Sequence, residues 1–207
     1  MKERRTLLTG ILFVGGALLC GMVGLFASGQ AGRRVQQLTP APIAQLEAMQ
    51  PGAEVLVEGR ISSENTVQAS EFVAYVREER RVDEEGDTGS WSVRERVTPP
   101  LLLELRGGWV QIENSDYDLV DAKTVEKRDD PDEPSTTRYK GLERGDSVIA
   151  VGVLVAQREY PNIEADFVAR GTRESYIARR RAGGRIFCGF SLLIAVIGGG
   201  ILMKAIV

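Results

Sequence analysis

Two uninterrupted apolar runs bracket a long segment of alternating pattern. Ile186 to Met203 reads IFCGFSLLIAVIGGGILM, 18 residues without a charge, and a second run covers 6–28 after the start MKERR. About 20 apolar residues at 1.5 Å per residue cross the roughly 30 Å hydrocarbon layer of a bilayer. Both runs are therefore read as membrane-spanning helices. The first is longer than the roughly 7–15 residues of a signal-peptide core, and Ala27-Ser28-Gly29 offers no clean cleavage site, so it is expected to stay as an uncleaved span. The resulting plan is a tail at 1–5, a span at 6–28, a polar linker at 29–37 and a domain at 38–177. A basic juxtamembrane segment at 178–185 and a second span at 186–204 follow.

Between the spans the period is mostly two. Pro42–Met49 is the exception, a short helix with Ile43, Leu46 and Met49 on one side, stopped by Pro51-Gly52. Ala53–Ile61 alternates and predicts a strand. Glu71–Val82 predicts a longer strand, and Trp91–Val97 its return, joined by the acidic tip 83–90. Leu101–Leu105 and Trp109–Ile112 predict a tight hairpin turned at Gly107-Gly108. Ser115–Ser135 reads as a long polar loop and Tyr139–Asp146 as a turn. Ser147–Ala156 is apolar at nearly every position, the pattern of a strand covered on both faces. Ile163–Arg170 predicts the last strand, and Thr172 caps a helix through Tyr176 towards the arginines. Short strands separated by turn signals, with few helices, predict a mainly β domain, a barrel or a sandwich.

Charge is distributed unevenly. From Leu38 to Tyr176 there are 28 acidic and 16 basic residues, a net of −12, although the whole chain is only −3. The other ten basic residues gather at the membrane ends. An acidic domain is a poor nucleic-acid binder, because phosphate contacts need clustered Lys and Arg. The chain has no histidine, which removes imidazole bases, His-dependent nucleophiles and His-ligated zinc. Its two cysteines, Cys20 and Cys188, both fall in the apolar runs, so the domain has neither disulfide nor thiolate metal site. No catalytic residue, cofactor-binding residue or metal ligand is singled out, and no cofactor is implied. The acids Asp129, Asp130, Asp132 and Glu133 match no calcium-loop spacing and read as a solvated loop. Asp83, Glu84, Glu85 and Asp87 read as a solvated hairpin tip, and Trp91 and Trp109 as core residues.

The membrane ends carry the candidate functional residues. Arg33, Arg34, Arg179, Arg180, Arg181 and Arg185 are expected to anchor the domain at anionic headgroups. Gly16, Cys20 and Gly24 recur every fourth residue on one face of the first run, and Ser191, Ala195 and Gly199 on the second. Small residues at that spacing let helices approach closely, so the spans are expected to pack on each other or on a second copy. Six basic residues flank the domain side against Lys2, Arg4, Arg5 and Lys204 on the terminal side, which favours a cytoplasmic domain.

One ordered set of motifs resembles a known family. Val57-Glu58-Gly59-Arg60-Ile61, then Pro99–Leu105, then Gly141–Leu154 (GLERGDSVIAVGVL) and the apolar run from Ile186 are similar to the GIDE, or "beside a membrane", domain. That domain lies between the two spans of mitochondrial membrane-anchored RING ubiquitin ligases. The resemblance covers roughly 38–207 and implies an OB-like β-barrel lying against a membrane. It departs from the family where the chemistry lies, since the RING needs cysteine and histidine zinc ligands and this sequence has no histidine and no CxxC. The expectation is therefore a two-pass membrane protein whose β-domain is an interaction or scaffold module, meeting lipid and another protein. The alternative is a ligase-like family member that acts only with a partner's catalytic module.

Overall fold

Strand β1 (Glu54–Ile61) begins a barrel that the rest of the domain decorates. The computed structural model describes residues 29–81, 90–127 and 135–182. β1 pairs antiparallel with β4 (Leu101–Leu105) on one side and with β9 (Ser147–Gln157) on the other. β4 turns into β5 (Gly108–Ile112), and β9 turns into β10 (Pro161–Arg170). β10 then runs parallel to β5 through Asn162↔Gln111 and Ile163↔Ile112, which closes five strands into a barrel. The short β6 (Asp118–Val120) adds to the outer side of β10. The domain is thus mainly β with a closed five-stranded barrel, consistent with an OB-like fold.

The alternating pattern explains the core. Val55, Val57, Ile61, Leu101, Leu103, Val110, Ile112, Val148, Ala150, Leu154 and Ile163 are all essentially buried and form one cluster. α2 (Ile43–Ala48) packs on β5 and β10 through the buried Ile43 and Leu46. Its Ile43 side chain lies over Gly108, where an added Cβ would come within 3.3 Å. Closure of so small a barrel needs tight corners, and two glycines provide them. A Cβ at Gly59 would fall 2.5 Å from the Glu104 carbonyl oxygen, and one at Gly152 would fall 2.7 Å from Ala165 Cα. Gly152 faces the irregularity of β10 between Ala165 and Phe167, where Asn114 reaches across: its amide accepts from the Ala165 N–H and donates to the Ala165 carbonyl.

A second sheet grows from the barrel by two excursions. The chain between β1 and β4 supplies β2 (Phe72–Arg81) and β3 (Ser92–Val97). The chain between β5 and β9 supplies β7 (Lys123–Lys127) and β8 (Ser135–Glu143). The order is β3-β2-β8-β7, all antiparallel, with β2 and β8 in register from Phe72↔Glu143 to Arg81↔Ser135. The two excursions are stitched together at the barrel side. Tyr117, fully buried, donates its hydroxyl proton to the Pro99 carbonyl at 2.7 Å, and Thr98 donates to Ser115.

Several sequence expectations change here. The stretch 115–135, read as a loop, contains β6 and β7: Leu119 and Val125 lie on edge strands where neighbours supply the pairing, and Tyr117 enters the core. Tyr139–Asp146 is mostly strand; the turn is confined to its end, where Gly145 has φ 79°. The tight hairpin turns at Arg106-Gly107, with Leu105↔Gly108 as the last pair and Gly107 at φ 98°. The polar linker 29–37 is helix α1 (Gly29–Gln37). Neither tryptophan is core: both are half-buried. The acidic tips at 83–87 and 129–133 lie outside the described residues.

The described residues divide into two units, one of Leu38–Arg173 and one holding 29–37 and 174–182. In the second, α1 and helix α3 (which begins at Arg173 and runs over 173–182) touch, a Cβ at Gly32 lying 3.9 Å from Arg180 Cβ. Among the described residues no helix is long and apolar enough to cross a membrane; both predicted spans lie outside them.

Candidate functional site: a cleft on the second sheet

Period two places different chemistry on the two faces of the second sheet. One face carries Ala74 and Leu142 into the core near the barrel and charge farther out. There Glu78 on β2 accepts hydrogen bonds from Arg138 and Lys140 on β8, the latter at 3.0 Å. Burial alone would raise the Glu78 pKa, but the hydrogen bonds and charges of Lys140 and Arg138 outweigh it and hold the carboxyl below its usual range. Beside it the Trp91 ring lies under two guanidinium groups, Arg138 at 3.9 Å and Arg80 at 4.9 Å from the ring centre.

The opposite face is aromatic. Tyr75 and Tyr139 meet with ring centres 5.7 Å apart and planes tilted by 55°. Burial raises the Tyr75 pKa, and the neighbouring Glu95 carboxylate adds to it. The Phe72 ring covers Gly141, a position where no side chain would fit. At the barrel end of this face a cleft of about 270 Å³ opens between Ser70, Glu71, Phe72, Val125, Tyr139 and Glu143.

Local chain geometry builds its rim. A tight turn at 69–72, with the Phe72 N–H donating to the Ala69 carbonyl at 2.9 Å and Ser70 at φ 53°, lifts Glu71 to the edge. Glu71 is exposed, and its charge acts on Lys123, although among the described residues it makes no hydrogen bond or close ion pair. Opposite it Lys123 on β7 donates to Glu143 Oε1 at 2.7 Å, a bond that raises the Lys123 pKa. The turn behind Glu143 is locked: Asp146 accepts from the Glu143 N–H through Oδ2 and from Arg170 Nε through Oδ1, both at 2.9 Å.

The structure accounts for the motif at 141–154 physically. Gly141 admits the Phe72 ring, Leu142 and Val148 enter the core, and Gly145 turns the chain. Asp146 caps that turn, and Gly152 makes a barrel corner. In V-E-G-R-I, Glu58 accepts from the Arg173 N–H at 3.0 Å, where α3 begins. These positions build the scaffold.

Of the residues singled out beforehand, Arg33 and Arg34 lie on α1 and Arg179, Arg180 and Arg181 on α3, so the structure brings two of the basic groups onto touching helices. Arg179–Arg181 are exposed, and the Arg180 guanidinium sits 5.1 Å from the Tyr176 ring centre. Arg185 and the small residues Gly16, Cys20, Gly24, Ser191, Ala195 and Gly199 lie outside the described residues. Sequence reading missed the cleft, because its outer wall is β7, and Lys123-Thr-Val-Glu-Lys127 carries too little apolar signal to mark a strand. Among the described residues no group of three or more His, Cys, Asp or Glu side chains is arranged to hold a metal ion. Comparison with protein-family models and with curated protein sequences finds no match to this chain.

Proposed function

We propose that this is a two-pass membrane protein whose β-domain is a non-catalytic interaction module held close to the bilayer. The observation that carries the proposal is the cleft on the second sheet. Both walls come from excursions that the barrel does not need for closure, and they end in an open, aromatic, carboxylate-rimmed site. Barrels of the OB type are stable scaffolds on which inserted segments carry recognition. The strand order around the barrel, closed by the parallel β5–β10 contact, supports that OB-like assignment. The basic residues on α1 and α3 support a position at an anionic lipid surface. The two apolar runs supply the anchors, and six flanking arginines favour the cytoplasmic side. The resemblance to the GIDE domain points the same way, without the ligase activity of that family.

The test is co-purification. Full-length protein extracted in mild detergent is expected to elute with a protein partner, or with further copies of itself, in a fixed ratio. Elution as a lone chain across several detergents and expression levels overturns the proposal. Side-of-membrane is read separately, by introducing Ser90→Cys in a Cys20→Ala/Cys188→Ala background and labelling intact cells with an impermeant thiol reagent. Protection is expected; labelling would place the domain outside.

A further inference from the structure

We propose that the cleft between β2, β7 and β8 receives one cationic side chain, an arginine or lysine carried by a basic segment of a partner protein. The inference rests on the interaction-module reading and names what that module recognises.

Size comes first. At about 270 Å³ the cleft falls below the roughly 300–1,000 Å³ typical of sites for drug-sized ligands. It suits a single long side chain better than a cofactor. Its walls fit the aliphatic stem and flat head of such a chain: Phe72 and Tyr139 offer ring surface, and Val125 an apolar flank. A cation lying over a ring gains from the ring quadrupole, and more when partly desolvated.

Charge selects the sign. Two carboxylates line the cleft, Glu71 and Glu143, and the ammonium of Lys123 stands next to them, bonded to Glu143. Lys123 bonds Glu143 at 2.7 Å, so the rim already holds a cation from the chain itself. Glu71 is exposed; its charge acts on Lys123 across the rim, but among the described residues it makes no hydrogen bond or close ion pair of its own. The local balance is one net negative charge facing an apolar slot. On a larger scale the 28 acids and 16 bases between Leu38 and Tyr176 create a field that draws basic segments in and repels acidic ones.

The aromatic placement is built, not incidental. Gly141 leaves room for the Phe72 ring, and Tyr139 is braced by Tyr75 behind it. The wall is thus packed in place by the chain's own residues, and a preformed wall lowers the ordering cost of binding.

The test uses full-length protein in detergent micelles and saturation-transfer NMR, which reads weak binding to large particles. The probe is the capped peptide Gly-Ser-Arg-Ser-Gly, with its citrulline twin as the neutral isostere. Transfer is expected to the arginine side-chain protons and to fall at least fivefold for the citrulline peptide. It is also expected to fall at least fivefold in Glu71→Gln, to recover in Glu71→Asp, and to weaken as salt rises. Because Glu71 is exposed, these variants should keep the parent's thermal transition, which serves as the folding control. Equal transfer to the two peptides, or an unchanged signal in Glu71→Gln, overturns the proposal. So does a site that ignores the peptide and takes phosphocholine, since that would make it a lipid-headgroup site. If the protein still elutes with a partner while the peptide fails, the module reading stands and the cleft assignment falls. If no partner elutes, the module reading itself has failed.

Discussion

Phe72 and Gly141 occupy one space: a Cβ on Gly141 would lie 2.5 Å from Phe72 Cδ1 and 2.8 Å from the Ala74 carbonyl oxygen. The buried ring of Phe72 therefore depends on a glycine in the neighbouring strand, and so does the wall of the cleft. Gly141→Ala is expected to cost about 1–3 kcal/mol, the range for overpacking a filled site. It should also displace the ring. Pairing it with Phe72→Leu should recover part of the loss, since contacting residues couple. Thermal melts of the two single variants and the double variant, followed by far-UV circular dichroism, measure that coupling. Strict additivity would mean the two residues do not share the space.

Two other glycines separate crowding from backbone conformation. Gly152 has ordinary strand φ, but a Cβ there would meet the backbone of Glu164 and Ala165. Backbone cannot swing aside as a side chain can. Gly145 stands in open space at φ 79°, where only the left-handed conformation is at issue. Gly152→Ala is expected to prevent barrel closure or to destabilise by more than about 3 kcal/mol, beyond the usual range for a point substitution. Gly145→Ala should cost only about 1 kcal/mol, the left-handed penalty for an L residue. Gly145→Asn should cost less, because asparagine tolerates that region. Far-UV spectra and melting temperatures of the three variants check the order.

Much of the barrel was legible in the sequence, and most of the second sheet's outer half was not. Leu101–Leu105, Ser147–Ala156 and Ile163–Arg170 announce themselves because strands buried on one or both faces are rich in apolar residues. β7 does not, since an edge strand with one wet face needs only Val125. The hairpin was visible but its turn was misplaced by one residue. Two adjacent glycines looked alike as letters, whereas in space Gly107 supplies the positive φ and Gly108 makes room for Ile43. Trp91 looked like core because tryptophan usually is; here the charges of Arg80 and Arg138 give it a partner at the surface. The cleft was invisible for a related reason. Glu71, Tyr139 and Glu143 are ordinary in sequence, and pairing across β2, β8 and β7 is what brings them together.

Asn65 ties the first excursion back to the barrel. Its side-chain nitrogen donates to the carbonyls of Ser62 at 3.0 Å and Leu102 at 2.8 Å, and its oxygen accepts from the Leu102 N–H at 2.8 Å. Asn65 is buried, and without it the Leu102 N–H would lose its side-chain partner, while the Leu102 carbonyl would keep the Ser62 N–H. Asn65→Ala is expected to destabilise by about 1–3 kcal/mol, from the loss of three side-chain bonds and the stranding of the partly buried Leu102 N–H. Asn65→Asp keeps the acceptor, loses both donations and adds a charge facing two carbonyls, so it should be no better than alanine. Melting temperatures of the two variants rank them; a milder Asp variant would show that the donations contribute little.

The Glu78 cluster makes stability sensitive to acid. The folded carboxyl titrates below its usual value of 4.5, because Lys140 and Arg138 hold its charged form against the cost of burial. A depressed carboxyl pKa stabilises the fold above the unfolded value, and that contribution disappears as pH falls through the folded one. The loss is therefore expected on the acid side, starting near pH 4.5 and continuing below it. Glu78→Gln should cost about 1–2 kcal/mol at neutral pH, somewhat under the roughly 1.5–3 of a hydrogen bond to a charged group, because Arg138 and Lys140 keep partial access to water. It should also flatten the acid limb of the stability curve. Melting temperatures of parent and variant between pH 3 and 7 decide it: curves that converge at low pH support the cluster, whereas a constant offset would mean that Glu78 acts through packing and not through its charge.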